Sequence, residues 1–267
     1  MNLKSELQEL QQVLSSSQSV LIIIPSNPSL DKVAAALSLY LSLEKNGKIT
    51  TIVCSQPMTV EFSQLVGVDK ITNRVGGKNL VISFDYVKDS IEKVSYNVEN
   101  DKFNLVIQPK TGLPSLDAKK VTYSYSGTES DLIFVIGAQK LEDLGRFYED
   151  EKESHSHKQV INIDYHQQNS KFGKLNIFNP QASSCSEIIA LALKVLNLPF
   201  DKDIAVNLFI GIKSATSNFQ SLNLSAEAFE AAALCFRAGA KQVEGKKISS
   251  PSSDWLTPKI YKGTTRV

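Results

Sequence analysis

The segment from residue 20 to residue 53 restricts the fold of this chain more than any other feature. An unbroken apolar run, VLIII over 20–24, is followed by a turn containing two prolines and by a helical pattern over about 31–46. A second apolar run, Ile49–Val53, completes the unit. Continuous apolar strands are typical of parallel sheets covered on both faces. Strand–helix–strand units form right-handed crossovers, so the sequence predicts an α/β fold with a mainly parallel sheet flanked by helices.

The rest of the chain extends this pattern with short strands and then with helices. Three more apolar runs are predicted to be strands: 80–84, 131–136 and 159–163. Between the first two, alternating residues flank a polar turn, which predicts an antiparallel hairpin (90–97 and 103–108) inside a β-rich insertion over 86–127. After residue 164 the pattern predicts a helical C-terminal half, with helices over 184–197, 203–214 and 225–239.

Length and charge indicate one compact unit with no general attraction to polyanions. The 267 residues carry 29 Lys and Arg against 28 Asp and Glu, a net charge of +1. We predict one domain over 1–240 and a polar tail or linker over 241–267. The three cysteines form neither a disulfide framework nor a zinc spacing, and the first residues lack the apolar core of a signal peptide. These features predict a cytoplasmic protein that does not associate with membranes.

Polar residues follow the predicted strands where ligands bind in open α/β sheets, beyond the carboxyl ends. Asp164 and His166 end one strand and share a side of it if the extended backbone continues. Together they could hold a divalent metal or share a proton. Alternatively, Asp164 only caps backbone amides while His166 makes an ordinary hydrogen bond.

Serine and lysine side chains near these loops also have two interpretations. Ser29 opens the first crossover helix, whose N-terminus could attract an anion, or it could serve only as an N-cap. Four lysines could hold a phosphate backbone or could be solvated helix faces: Lys32, Lys140, Lys171 and Lys213.

Five segments resemble, in order, the motifs of the DHH phosphoesterase superfamily, which includes RecJ-like enzymes and oligoribonuclease–pAp phosphatases. The run DYHQQNSKFG over 164–173 resembles the D-H-H signature, and 20–47 resembles the first motif, a strand and then H-x-N-P-D-x-D-A-x-G-S. The other three segments are DLIFVIGAQKLEDLG over 131–145, ASSCSE over 182–187 and GIKSATSNF over 211–219. The resemblance implies a DHH-type domain over about 20–240.

The resemblance also implies a site for two manganese-type ions, and most of its ligand positions are changed here. Residues of other types occupy the expected His or Asp positions: Pro25, Ser29, Gly137, Tyr165 and Ala215. Asp31 and His166 remain as ligand types, and Asp164 has a supporting role in the family. Three of the changed positions offer no side-chain donor, whereas a divalent ion needs about four to six donors. We therefore expect no bound metal.

These departures predict a catalytically inactive homologue that binds a nucleotide, a phosphate group or another protein. The expected ligand-binding residues line the cleft in which the resemblance implies the metal ions: Asn27, Ser29, Asp31, Asp164 and His166. One alternative is a weak or remodelled phosphoesterase that uses Mn²⁺ or Mg²⁺ on short oligonucleotides or pAp, with Asp85 as a possible replacement donor. Another is a pure scaffold that forms a homo-oligomer or pairs with an active relative. The family's C-terminal substrate-binding domain is expected to be absent.

Overall fold

A computed structural model describes residues 3–74, 79–126, 130–150 and 159–240. The predicted tail over 241–267 lies outside these ranges, and the division into a domain and a tail stays a prediction. The helices are α1 (Leu3–Ser16), α2 (Leu30–Lys45), α3 (Arg146–Asp150), α4 (Cys185–Val195), α5 (Lys202–Ala215) and α6 (Ala226–Arg237). The first strands are β1 (Ser19–Ile24), β2 (Ile49–Cys54), β3 (Asn79–Ser83), β4 (Ile91–Glu99) and β5 (Lys102–Pro109). The remaining strands are β6 (Thr122–Ser126), β7 (Leu132–Ile136), β8 (Gln159–Asp164) and β9 (Leu175–Phe178).

Five of these strands form one parallel sheet in the order β2-β1-β7-β8-β9. Every residue of β7 is buried, as is all of β1 after its first residue. Continuous burial explains why these strands read as unbroken apolar runs. The mixed α/β fold with a parallel sheet flanked by helices is therefore confirmed.

The two faces of the sheet are covered unequally. Alternate residues such as Ile22, Phe134 and Ile163 share a large core with apolar residues of α1, α2, α4, α5 and α6. The opposite residues, such as Ile23 and Val135, pack against the region of α3, where Phe147 is buried. The helical side of the sheet therefore supplies most of the buried apolar surface that stabilises the fold. None of the helices in the described ranges is long and apolar enough to cross a membrane.

The structure corrects two strand predictions. The run over 80–84 is not in the parallel sheet, because β3 pairs antiparallel with β6 in a separate two-stranded sheet. Short apolar runs do not reveal which partner they pair with. The sequence also gave no indication of β9, a four-residue edge strand inside the half predicted to be helical. Its Asn176 interrupts the apolar run that identified the other strands.

The predicted hairpin is present as β4 and β5, which pack chiefly on each other. Directly paired residues of an antiparallel ribbon share a face. One face is apolar, with the pairs Val94–Ile107, Tyr96–Leu105 and Val98–Phe103. Five of these six side chains are exposed, and the rings of Tyr96 and Phe103 stack at 5.2 Å. The hairpin therefore carries an apolar face outside the main core.

Candidate functional site

The loop after β1 leads into α2, whose first turn lies at the carboxyl edge of the sheet. Ser29 is the N-cap, and its side chain accepts a 3.4 Å hydrogen bond from the backbone amide of Lys32. Asn27 and Ser29 are both exposed, whereas Asp31 is buried with 2% exposure. Capping thus accounts for Ser29, and the structure does not bring Asn27 or Ser29 into the buried part of the site.

Asp31 ties the start of α2 to the start of α4. Its Oδ2 accepts a 2.8 Å hydrogen bond from the Cys185 amide, and its Oδ1 accepts one of 2.9 Å from the Ser186 amide. The Ser186 hydroxyl also donates to the backbone carbonyl of Asp31. Burial raises the pKa of Asp31, although these hydrogen bonds oppose the shift. The carboxylate therefore serves as a structural acceptor for a helix N-terminus.

Asp164 and His166 meet as the strand periodicity predicts. Asp164 is fully buried at the end of β8, and its Oδ1 lies 2.7 Å from Nδ1 of His166. Its Oδ2 accepts a 2.8 Å hydrogen bond from Nδ2 of the Asn169 side chain, which also donates to the backbone carbonyl of Ala138. The imidazole is 26% exposed. Asp164 therefore orients the ring of His166, which lines a cavity and stays partly exposed, an arrangement suited to proton exchange or ligand binding.

Tyr165, at the position that would be the first His of D-H-H, packs beside this pair. Its ring centroid lies 4.3 Å from that of His166. Burial and the neighbouring Asp31 charge raise the pKa of Tyr165 above its usual range. Burial likewise raises the pKa of the Cys185 thiol. Both groups are therefore held in their protonated forms near neutral pH, so neither Tyr165 nor Cys185 supplies an anionic nucleophile.

Gly137 follows β7 at the position of the bridging Asp in the family motif, and Lys32 covers it. Its amide donates a 2.8 Å hydrogen bond to the Ile163 carbonyl, and its φ of +75° favours glycine. A Cβ placed here would lie 2.6 Å from Cγ and 2.8 Å from Cδ of Lys32. The volume that a larger side chain would need at position 137 is therefore filled by the stem of Lys32.

A cavity of about 790 Å³ opens beside Tyr165 and His166. Its walls come from the loops after β8 and β9 and from the connection between α5 and α6. Most lining side chains are uncharged and polar or small: Gln167, Gln168, Gln181, Ala182, Ser183, Ala215, Ser221, Asn223 and Ser225. Glu227 supplies a negative charge. This lining favours a neutral, hydrogen-bonding part of a ligand.

A buried carboxyl that sequence reasoning missed holds one wall of the cavity. Oε2 of Glu187 accepts hydrogen bonds of 2.8 Å from the Ser183 amide and from the Ser225 hydroxyl. Ser225 is the N-cap of α6, so Glu187 joins the starts of two helices. The ASSCSE run did contain the signal, because a Glu in the first turn of a helix is typical of capping.

The residues present do not fit a pair of manganese-type ions. Pro25, Gly137 and Ala215 offer no side-chain donor, and both oxygens of Asp31 already accept backbone amides. Asp85 does not replace them, because it is exposed in the insertion and pairs with Lys120 at 2.9 Å. Within the part of the chain that the structure describes, no three His, Cys, Asp or Glu side chains converge as a metal site would require.

Fold and site together define an α/β protein with a cavity beside the carboxyl edge of a parallel sheet. No protein-family model matches the chain. A segment of 85 residues, 32% of this chain, is 31% identical to the bifunctional oligoribonuclease and PAP phosphatase NrnA of Thermus thermophilus. That segment spans only 26% of the relative.

A solved structure extends the similarity over most of the chain. It is an exopolyphosphatase-related protein from Bacteroides fragilis, with a TM-score of 0.62 and 14% identity. The match covers 89% of this chain and 58% of that protein. This match shows a shared fold, and the local similarity to NrnA agrees with the motif resemblance to DHH phosphoesterases.

Proposed function

We propose that this protein binds a nucleotide-type ligand at the carboxyl edge of its sheet and does not hydrolyse it with paired metal ions. The observation that carries the proposal is the bonding of Asp31. Both of its oxygens accept backbone amides at the start of α4. Drawing this carboxylate toward a metal would leave the buried amides of Cys185 and Ser186 without acceptors, at a cost of about 1–3 kcal/mol each.

The cavity supports the binding half of the proposal. Its volume of about 790 Å³ falls in the range of roughly 300–1,000 Å³ that is usual for small-molecule sites. Its amide and hydroxyl groups suit a ribose or a base edge, whereas Glu227 disfavours a phosphate inside it. The name of the Thermus relative, an oligoribonuclease and PAP phosphatase, also points to nucleotides.

A hydrolysis assay tests the absence of paired-metal chemistry. The protein is incubated with pAp or a dinucleotide and excess Mn²⁺, beside the Thermus relative as a positive control. We expect no manganese-stimulated product above the level of the His166→Ala variant. Turnover that requires Mn²⁺ and is lost in His166→Ala would overturn the proposal and favour the remodelled phosphoesterase.

A binding assay tests the cavity. Ala215, at the end of α5, lines the cavity, so Ala215→Trp should fill part of it. We expect calorimetry in EDTA to show AMP binding to the native protein and a loss of at least tenfold in Ala215→Trp. The matched control is Val195→Trp at the exposed end of α4. Equal affinity in both variants, or no AMP binding to the native protein, contradicts the proposal.

The scaffold alternative stays a prediction, as do the cytoplasmic location and the absence of a cofactor. The surface that would serve the scaffold alternative is the exposed apolar face of β4 and β5, where another protein could dock. The site itself favours ligand binding, because hydrogen bonds to the buried carboxyls of Asp164 and Glu187 hold His166 and one cavity wall in place.

A further inference from the structure

The side chain of Lys32 lies in an unusual place for a lysine on a first helical turn. Three successive carbons, Cγ, Cδ and Cε, lie 2.6, 2.8 and 3.0 Å from the point where a Cβ of Gly137 would stand. The stem therefore rests along the backbone at the end of β7 and does not extend freely into solvent. Packing of this kind restricts the rotamers of the stem and keeps the ammonium near the end of β7.

The position of Gly137 places this ammonium inside the candidate site. Ile136 pairs with Ile163 in the parallel register, so Gly137 and Asp164 are the next residues on adjacent strands. Adjacent strands lie about 4.8 Å apart. Burial raises the pKa of Asp31 and of Cys185, and the nearby positive charge of Lys32 partly opposes both shifts. The cation thus stands at the carboxyl edge between α2 and β8.

The carboxyl groups of the two aspartates near Lys32 already have other hydrogen-bond partners. Both oxygens of Asp31 accept backbone amides, and those of Asp164 meet His166 and Asn169. Within 3–74, 79–126, 130–150 and 159–240, no residue accepts a hydrogen bond or forms an ion pair with the Lys32 ammonium. A packed lysine without an acidic partner retains its hydrogen-bonding capacity for an incoming anion.

We infer that Lys32, whose stem packs over Gly137, binds the phosphate group of the ligand through its ammonium. This inference rests on the proposed function and assigns the two parts of a nucleotide to different places. The phosphate meets Lys32 at the edge of the sheet, and the neutral nucleoside lies in the cavity beyond Tyr165 and His166. The position of Lys32 requires glycine at position 137, because any side chain there would displace the Lys32 stem.

The test compares AMP with adenosine in EDTA by calorimetry. Lys32→Met keeps the stem and removes the charge. The matched control is Lys194→Met near the end of α4, where the exposed ammonium pairs with Glu230. We expect Lys32→Met to weaken AMP binding at least tenfold and to leave adenosine binding within twofold. Lys32→Arg should recover part of the AMP affinity, and Lys194→Met should change the binding of neither ligand. Inorganic phosphate, which lacks the nucleoside, should compete with AMP in the native protein and not in Lys32→Met.

Gly137→Ala gives a second test that leaves Lys32 in place. The added methyl group should displace the stem, so AMP affinity should fall toward that of Lys32→Met while circular dichroism confirms a folded protein. If native protein binds AMP and Lys32→Met binds it equally well, the role of Lys32 is wrong and the proposed function stands. If native protein binds neither AMP nor adenosine, both proposals fail.

Discussion

At each edge of the parallel sheet an aspartate accepts hydrogen bonds from two successive backbone amides, but one aspartate is exposed and the other is buried. At the amino edge, Asp131 accepts hydrogen bonds of 2.8 and 2.9 Å from the amides of Gln18 and Ser19, where β1 begins. At the carboxyl edge, Asp31 accepts hydrogen bonds of 2.8 and 2.9 Å from two successive amides, where α4 begins. Asp131 is exposed and Asp31 is buried.

The pKa values of the two carboxyls shift in opposite directions. Hydrogen bonds from backbone amides lower the pKa of Asp131, whereas burial raises that of Asp31 despite the same kind of donors. The hydrogen-bond pattern alone therefore does not fix the charge state of a carboxyl group. At the carboxyl edge, the loss of hydration decides the outcome, and the aspartate becomes part of the helix packing.

Removing each carboxylate should give the largest difference between the two edges in the free energy of unfolding. Asp31→Ala leaves two buried amides without acceptors, and we expect it to lower the free energy of unfolding by about 3 kcal/mol. Asp131→Ala exposes its amides to water and should cost about 1 kcal/mol. Urea denaturation of both variants measures the difference. Equal losses would show that burial does not distinguish the two edges.

The carboxyl edge can also be disturbed without changing Asp31. A Cβ at Gly211, on α5, would overlap the Ser186 hydroxyl and lie 3.0 Å from Cβ of Ala34 on α2. Since Ser186 donates both its amide and its hydroxyl to Asp31, Gly211→Ala should cost about 2 kcal/mol through overpacking. Thermal or urea unfolding checks this value.

A double-mutant cycle shows whether the loss passes through Ser186. In the Ser186→Ala background the hydroxyl is absent, so adding Gly211→Ala should cost less than it does in the native protein. Equal costs in the two backgrounds would assign the loss to contacts with Cβ of residue 186 and Cβ of Ala34, and not to the hydroxyl. The carboxyl edge would then depend less on the Ser186–Asp31 contact than the structure indicates.

The same edges show how far the sequence could predict the structure. Unbroken apolar runs identified β1 and β7, which are buried in the structure, and the two-residue period along β8 predicted that Asp164 and His166 lie together. Both predictions depend only on local geometry. Asp31 was expected to line the cleft as a remnant ligand, but its amide donors lie 154 and 155 positions away along the chain. Local patterns do not identify such partners.

Lys32 shows a further limit of sequence reasoning. The sequence allowed either a phosphate contact or a solvated helix face for this lysine. Its packing over Gly137 depends on the pairing of α2 with the end of β7, which only the tertiary structure gives. The substitution of glycine for a donor residue was visible, but the side chain that fills the resulting space was not. Long-range packing, not local propensity, decides such positions.

The smallest expected effect is the pH dependence of stability. It distinguishes the two edges by its sign, because the contributions of Asp31 and Asp131 change in opposite directions with pH. A folded-state pKa of Asp31 above the ordinary 3.8 means that the folded protein binds protons more tightly there, so this group's contribution to stability falls as pH rises above that value. A lowered pKa of Asp131 contributes stability above 3.8 that is lost as pH falls through the folded value. Asp31→Asn should therefore become less destabilising as pH rises from 4 to 7, whereas Asp131→Asn should become more destabilising as pH rises toward 4 from more acidic values. Urea unfolding at several pH values measures both trends, and parallel trends would contradict the opposite shifts.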